Sequence, residues 1–475
     1  MTLIATSEKK VVIGLGATGQ SVVRFLLRAG FSPVVVDSRS QPPGLEQFQR
    51  EFPLVPVECG PLKEGTLLDA SEIIASPGVA LSESALQKAV AEGIPVIGDI
   101  ELFARELRKL SQQPEVVAIT GSNGKSTVTT LLGLMAERVG VDVRVGGNIG
   151  VPVLDLLEPS AKQEEPSAEQ EESSPQLFVL ELSSFQLETT GSLTPTVATI
   201  LNLSADHMDR YESLADYHRA KQRIYRGARQ LVVNRADPLT RGPLSKDSRE
   251  WSFGLDRPDL QQFGLLQSEG EEWLARGVEK LLPVGELAMV GRHNVANALA
   301  ALALGSAVEL PMAAMLSTLR IFKGLPHRCE RVLDLEGVTY VNDSKGTNVG
   351  ATRAALDGLA TGSAKIVLIA GGDGKGADFA PLAESATALR ALVTIGVDGD
   401  EVADAFAGQL ENHRAVSMED AVARACALAQ PGDYVLLSPA CASFDMYRNF
   451  EARGDDFRRA VVELAGAGAP RGGAA

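Results

Sequence analysis

Residues 116–127, Val-Val-Ala-Ile-Thr-Gly-Ser-Asn-Gly-Lys-Ser-Thr, constrain this chain more than any other stretch. A short apolar run precedes a glycine-rich turn, and a segment with apolar residues at helical spacing (128–139) follows it. Strand, loop and helix in that order aim backbone N–H groups and a helix N-terminus at one point, the arrangement that cradles a phosphate chain. Lys125 can reach the outer phosphates and the Ser126 hydroxyl can ligate Mg²⁺. Gly121, Ser122, Asn123, Gly124, Lys125, Ser126 and Thr127 are therefore expected to hold ATP or a close relative. The strict form of this loop has a glycine five positions before Gly124; this chain has Ile119 there, so the loop is a variant.

With 475 residues the chain is too long for one core, and two to four domains are expected. Short β-rich runs alternate with helical patterns throughout, which predicts an α/β protein with parallel sheets. We place an N-terminal Rossmann-like unit at 1–103, a central P-loop ATPase-like unit with a parallel or mixed sheet at 104–324, and a C-terminal Rossmann-like unit at 325–475. Expected strands are Lys10–Leu15, Val34–Asp37, Ile73–Ala75 and Pro95–Ile97, then Phe178–Leu182, Ala198–Leu203 and Leu231–Asn234. Short strands with turns follow from Trp251 to Val284, and an alanine-rich helical stretch spans 286–320. The last expected strands are Thr339–Asn342, Lys365–Ala370, Leu392–Val397 and Tyr434–Ser438. Residues 158–176 carry six Glu, one Lys and no aromatic or β-branched residue, so an acidic disordered insertion is expected there.

The formal charge of −16 argues against a general nucleic-acid binder, which needs a basic face. Four cysteines without a CxxC pair read as reduced thiols. Charged residues (Glu8, Lys9, Lys10) precede the first apolar run, so no signal peptide is expected. The longest apolar stretch, 298–308, is too short to span a membrane. A cytoplasmic protein, monomeric by default, is the expectation.

Gly14-Leu15-Gly16-Ala17-Thr18-Gly19 follows the first strand, with Asp37 at the end of the next. This dinucleotide-type fingerprint places a diphosphate on the helix and Asp37 near a ribose or base. Alone it favours an NAD-dependent enzyme, although a UDP-sugar satisfies the same physics. Glu181 ends another strand, as a Mg²⁺ ligand or a solvated carboxylate. His207, His293 and His327 sit in polar clusters, and a neutral His207 could ligate a metal. Lys221 and Arg223, in a basic helical stretch, read from spacing as solvated surface charges. Polar loops at 342–348, 371–375 and 438–445 each follow a C-terminal strand, where the binding crevice of such sheets lies. Lys345 and Lys375 there suit an anionic substrate.

Six runs occur in this order: Thr-Gly-Ser-Asn-Gly-Lys-Ser (120–126), Glu-Leu-Ser-Ser-Phe-Gln (181–186), His-Met-Asp-Arg-Tyr (207–211), Gly-Arg-His-Asn (291–294), Leu-Pro-His-Arg (325–328) and Asn-Asp-Ser-Lys (342–345). Together they resemble the Mur ligase family over about Lys10 to Phe457. Gly-Gly-Asp-Gly-Lys at 371–375 and Ser438–Ser443 resemble the branch that adds D-glutamate, and the Asp-Asn-Pro-Arg run of the diaminopimelate-adding relatives is absent. The resemblance implies ATP-dependent amide formation in peptidoglycan synthesis through an acyl phosphate, with UDP-N-acetylmuramoyl-L-alanine and D-glutamate as substrates. A relative adding another amino acid is the alternative; a dehydrogenase fused to a P-loop module is more remote.

The resemblance also implies roles. Lys125, His207 and Lys221 would be catalytic. Two Mg²⁺ ions would be held by Ser126, Glu181, His207 and Lys221, the last as a lysine carbamate. Asn294, Asn297, Arg328, Asp343 and Lys345 would face ATP. Ala17, Thr18, Asp37, Arg39 and Gly78 would take the uridine diphosphate, and Asn148, Ser183 and Gln186 the rest of that substrate. Thr347, Lys375, Ser443 and Phe450 would take D-glutamate. Two departures stand out: Gly346 replaces the usual alanine, and the acidic insertion is not a family feature.

Overall fold

The computed structural model describes residues 8–158, 175–208, 210–243, 248–360 and 364–466. Almost all of the expected acidic insertion at 158–176 lies outside them. Three α/β sheets follow one another along the chain. The first contains β1 (Lys10–Ile13), β2 (Val34–Asp37), β3 (Val57–Cys59), β4 (Glu72–Ala75) and β5 (Val96–Ile97). All its pairs are parallel, in the order β3-β2-β1-β4-β5.

The second sheet contains β6 (Glu115–Thr120), β7 (Val143–Gly147), β8 (Leu177–Glu181), β9 (Val197–Ile200), β10 (Gln230–Asn234), β11 (Arg249–Phe253), β12 (Phe263–Ser268), β13 (Glu271–Arg276) and β14 (Glu279–Pro283). Its order is β14-β13-β12-β11-β10-β9-β6-β8-β7. It is parallel from β7 to β12 and turns antiparallel for β13 and β14. The phosphate-loop strand β6 lies between β8 and β9, hydrogen-bonded on both edges. Its sequence Val-Val-Ala-Ile reads as continuous apolar because both faces are buried.

The third sheet contains β15 (Glu330–Leu335), β16 (Val338–Asn342), β17 (Ile366–Ala370), β18 (Leu389–Thr394), β19 (Asn412–Arg414) and β20 (Tyr434–Leu437), in the order β15-β16-β20-β17-β18-β19. β15 is antiparallel to β16, and the other pairs are parallel. The expected strand 392–397 sits three residues earlier, because Ile395 leads into Gly396 at φ +81°, a left-handed turn that ends the ladder. The expected helical stretch 286–320 is two helices, Arg292–Ala307 and Met312–Leu319, parted at Pro311.

One face of the second sheet packs on the helices Lys125–Glu137 and Arg292–Ala307. The second of these helices is buried nearly all round, so its alanines serve close packing. The opposite face shares one core with the first sheet's helices, where Phe103 meets Phe178 edge to face, with ring centroids 5.1 Å apart. The same seam carries polar joints. Glu101 accepts from the backbone N–H groups of Gly191 and Ser192, both at 2.9 Å, and from the Ser192 hydroxyl at 2.7 Å.

Asp99, in the helix Asp99–Leu107, accepts only a 3.3 Å bond from Gln186 Nε2 across this seam. Burial pushes its carboxyl up to about 6, which Gln186 and nearby backbone N–H groups only partly offset. A raised acid stabilises the fold below its unfolded value, and that contribution is lost as pH rises through 6. Asp99→Asn is thus expected to raise stability by on the order of 1–2 kcal/mol at about pH 8 and to change little near pH 4 in urea melts. The same effect at both pH values would show that Asp99 ionises normally in the folded chain.

Candidate active site

The phosphate loop is fixed from both sides. At Gly124 φ is +81°, and an added Cβ would lie 2.4 Å from Asn297 Oδ1, so only glycine fits between strand end and helix start. Asn297 is itself held: its Nδ2 donates to Asn294 Oδ1 at 3.0 Å. On the other side the chain leaving β9 lines the loop. Asn202 Oδ1 accepts from Asn123 N at 2.8 Å, and Ser122 Oγ accepts from Ser204 N at 2.9 Å. These contacts leave the first turn of the helix Lys125–Glu137 open toward a cavity of about 320 Å³.

Lys125 Nζ folds back to donate to Gly121 O (2.8 Å) and Ser122 O (2.9 Å). Lys221 Nζ donates to the same Gly121 O at 3.1 Å and to Thr120 Oγ1 at 3.3 Å, and lies over the Tyr217 ring. Lys221 is 1% exposed, which overturns its reading as a surface charge; its helix, Leu214–Gln222, turns this side chain inward. Burial, helped by the nearby Lys125 cation, holds the Lys221 amine well below its ordinary range, and Asp206 and Glu181 pull it only partly back. Burial also lowers Lys125.

Glu181 stands at the end of β8, beside this pair. Its Oε1 accepts from Asn148 Nδ2 at 2.8 Å, while its buried Oε2 has no hydrogen-bond partner. An orphaned buried carboxylate oxygen is costly and suits a cation. Across the cavity Arg328 Nη2 donates to Ser126 Oγ at 2.7 Å, tying the third sheet's entry to the phosphate loop. Asp343 accepts from Ser438 Oγ at 2.7 Å and from Cys329 N at 3.1 Å, and burial still raises it to about 6. Lys345 lies over the Phe450 ring at 4.1 Å, and burial, then Arg328 and Lys125, lower it to about 8. Lys221, buried, and Lys125, Arg328 and Lys345, half-buried, thus come together from two sheets.

Three family profiles match the chain in order: Mur ligase MurD-like, N-terminal domain (residues 8–98); Mur ligase middle domain (119–305); and Mur ligase, glutamate ligase domain (327–441). The chain belongs to the Mur ligase family. Proteins named UDP-N-acetylmuramoylalanine--D-glutamate ligase from Pseudomonas fluorescens (strain Pf0-1) and Pseudomonas aeruginosa are 52% and 51% identical to it over 467 residues each. Each alignment covers 98% of this chain and 100% of the relative. Among solved structures, MurF ligase from Thermotoga maritima in complex with ADP matches with TM-score 0.60 at 16% identity, covering 96% of both chains. A pseudomurein peptide ligase type C from Methanothermus fervidus matches with TM-score 0.57 at 16% identity, covering 96% of this chain and 100% of its own. At these identities the two structures speak for the fold alone.

Within this Mur ligase, the expected site residues fall into two groups. Asn123, Gly124, Thr127, Asn294, Asn297, Arg328, Asp343 and Lys345 line the cavity, and Gly121, Ser122, Lys125, Ser126, Lys221 and Glu181 stand next to it at the phosphate loop. Others have their polar groups engaged within the fold. Asp37 accepts from Leu15 N (2.8 Å) and from Arg39 through Nε (2.8 Å) and Nη2 (2.7 Å). Burial raises Asp37, but these bonds outweigh it and hold the carboxyl below its usual range. It shapes the glycine turn and orients Arg39. Gln186 is buried and closes a capping box with Ser183, so it supports a helix start. Asn148 orients Glu181.

His207, at φ +57°, is half-exposed, 3.7 Å from Asp206 and edge-on to Phe185. Ala17 and Thr18 open the first helix, and Gly78 is exposed beside it in the loop after β4. Lys375 is exposed over Phe444, Ser443 is buried, and Thr347 N donates to Lys345 O.

The sequence reading missed Asn202, Ser204 and Arg210. Arg210 donates to Pro77 O (2.9 Å) and Val79 O (2.8 Å) and stacks 4.0 Å from the Phe185 ring centre, joining the first unit's Gly78 loop to the central unit. Polar residues alternating with leucines directly after β9, Leu-Asn-Leu-Ser at 201–204, were the available signal for Asn202 and Ser204. Gly124→Ala is expected to lower stability by about 1–3 kcal/mol through φ strain and displacement of Asn297, read as a lower Tm. An unchanged Tm would show that the loop relaxes freely.

Proposed function

We propose that this Mur ligase joins D-glutamate to UDP-N-acetylmuramoyl-L-alanine at the cost of one ATP. The observation that carries the reading is the cleft at which buried Lys221 and Glu181 and half-buried Lys125 from the central sheet come close to Arg328, Asp343 and Lys345 from the third. The near-full-length likeness to relatives named for this reaction supports the substrates. We divide the chain into units at 1–103, 104–324 and 325–475, serving the UDP-sugar, ATP and the amino acid. Among the described residues no helix is long and apolar enough to cross a membrane. We read the protein as a cytoplasmic monomer.

The alanyl carboxylate attacks the γ-phosphorus of ATP and ADP leaves, giving an acyl phosphate. The D-glutamate amine then attacks the acyl carbon, phosphate leaves and a proton is lost from nitrogen. There is little covalent chemistry for side chains, so catalysis rests on positioning and charge neutralisation. Lys125 would release the loop carbonyls to meet the transferring phosphoryl group. Arg328 and Lys345 would face the triphosphate from the other wall. Asp343 would orient the nucleotide with Asn294 and Asn297. Arg39 and the helix start at Ala17–Thr18 would meet the uridine diphosphate, and Lys375, Thr347, Ser443 and Phe450 the incoming amino acid.

Among the described residues no three His, Cys, Asp or Glu side chains converge, so a metal here would draw on other oxygens too, such as a hydroxyl, water or the nucleotide phosphates. The orphaned Glu181 Oε2 and the Ser126 hydroxyl fit that demand. Mg²⁺ held there, with His207 serving a second ion, would neutralise charge on the phosphates. Burial favours the neutral form of the Lys221 amine, the form that takes up CO₂; its nitrogen would bond the carbon and lose a proton, leaving a carbamate anion beside the metal ligands.

Phosphate release is expected to require both UDP-N-acetylmuramoyl-L-alanine and D-glutamate. Release with L-lysine or diaminopimelate in place of D-glutamate would sink the acceptor assignment. Lys221→Ala is expected to lose at least about 10²-fold in kcat and to regain activity with added short-chain carboxylates. Full activity without them would refute the carbamate.

A further inference from the structure

Arg453, in the helix Phe450–Gly466, is 2% exposed and belongs to none of the motifs above. Its Nε donates to Ser344 Oγ at 3.0 Å, and its Nη2 to Ser344 O (2.9 Å) and Cys441 O (3.1 Å). Its Nη1 donates to Cys441 O (3.1 Å) and Ala442 O (3.2 Å). Every partner is a carbonyl or a hydroxyl. No carboxylate bonds this guanidinium among the described residues, although Asp445 and Asp343 are near enough to attract it. A cation taken out of water without a paired anion costs several kcal/mol, so its retention calls for a reason beyond packing.

The loops it holds supply that reason. Ser344 directly precedes Lys345 and lies three residues before Thr347. Cys441 and Ala442 directly precede Ser443. Gly372, in the Gly-Gly-Asp-Gly-Lys run, has no room for a side chain, because a Cβ there would lie 2.3 Å from Ala442 O, with Arg453 Nη1 at 3.2 Å. That run is laced to the 438–445 loop by paired backbone bonds between Asp373 and Ala442 (3.0 and 2.8 Å). Phe450 starts the helix that carries Arg453. One planar guanidinium therefore sets the distances between three loops and a helix end, and its fork geometry suits that task better than a flexible ammonium. The carbonyl of Ala442 points at Arg453, and a trans peptide sets its N–H opposite its carbonyl, so Ser443 N–H is directed away from the guanidinium.

We propose that Arg453 is a positioning residue for the acceptor amino acid. It fixes Thr347, Lys375 and Ser443 relative to one another, and its charge, hydrogen-bonded to no carboxylate, biases this end of the cleft toward an acceptor with a second carboxylate. The proposal rests on the reading that these loops take D-glutamate.

Arg453→Met and Arg453→Lys in the full chain test it, with the KM of each substrate and the preference for D-glutamate over D-glutamine measured by phosphate release. The Met variant is expected to raise the KM for D-glutamate at least about 20-fold, with the KM for ATP and for the UDP-sugar within about threefold. Its preference for the charged acceptor should fall about tenfold, whereas the Lys variant should keep that preference at an intermediate KM. Three KM values rising together, a kcat loss at unchanged acceptor KM, or an unaltered preference in the Met variant would overturn the proposal.

If the Met variant does not fold, Ser344→Ala removes one partner and keeps the charge. A several-fold rise confined to the D-glutamate KM then supports the proposal, and a wild-type KM overturns it. Wild-type protein that rejects D-glutamate would overturn the functional reading instead, and the same KM split is then read with the acceptor it uses.

Discussion

Two lysine side chains reach one carbonyl oxygen: Gly121 O accepts from Lys125 and from Lys221. Lys221 is buried and Lys125 half-buried, and the Lys125 cation lowers the affinity of the Lys221 amine for its proton. Such a pair is tolerable only because Glu181 and Asp206 lie close by. The cost of that arrangement falls when an anion enters. The rest of the cleft follows from it: β6 must lie inside the sheet to bring both amines together, Tyr217 must close the floor, and the opposite wall must bring donors that stay dry.

The three sheets meet at this point through a small number of polar ties. Arg328 reaches back to Ser126, and Arg210 reaches across to the loop after β4. The seam between the first two sheets is a continuous apolar core with embedded acids, Asp99 and Glu101. The third sheet has its own two-sided core and touches the central unit mainly through the cleft and the helix Arg292–Ala307. Binding energy from the nucleotide can therefore be expressed as a firmer contact between central and C-terminal units.

Periodicity recovered the central strands of all three sheets, because a strand buried on both faces is a short unbroken apolar run. It missed β3, β7, β15 and β19, which lie at sheet edges or are too short or half-exposed to show such a run. Motifs gave the phosphate loop and Glu181, since their chemistry is local. Lys221 was read outward from spacing, because the helix Leu214–Gln222 is strongly polar and only its packing tells which face turns in. Asp37 and Gln186 were read as ligand contacts, while the fold engages them with Arg39 and Ser183 two and three residues away. A sequence names a donor or acceptor but not which neighbour reaches it first.

The grip of Arg210 on Pro77 O and Val79 O has a further consequence, for heredity. An arginine that binds main-chain oxygens is indifferent to the side chains it spans, so residues 77 and 79 could drift without loosening the joint. Only the path of the backbone is constrained. Joints of this kind leave no matched pair of side chains to vary together, so even a deep record of relatives would show the arginine and hide its partner.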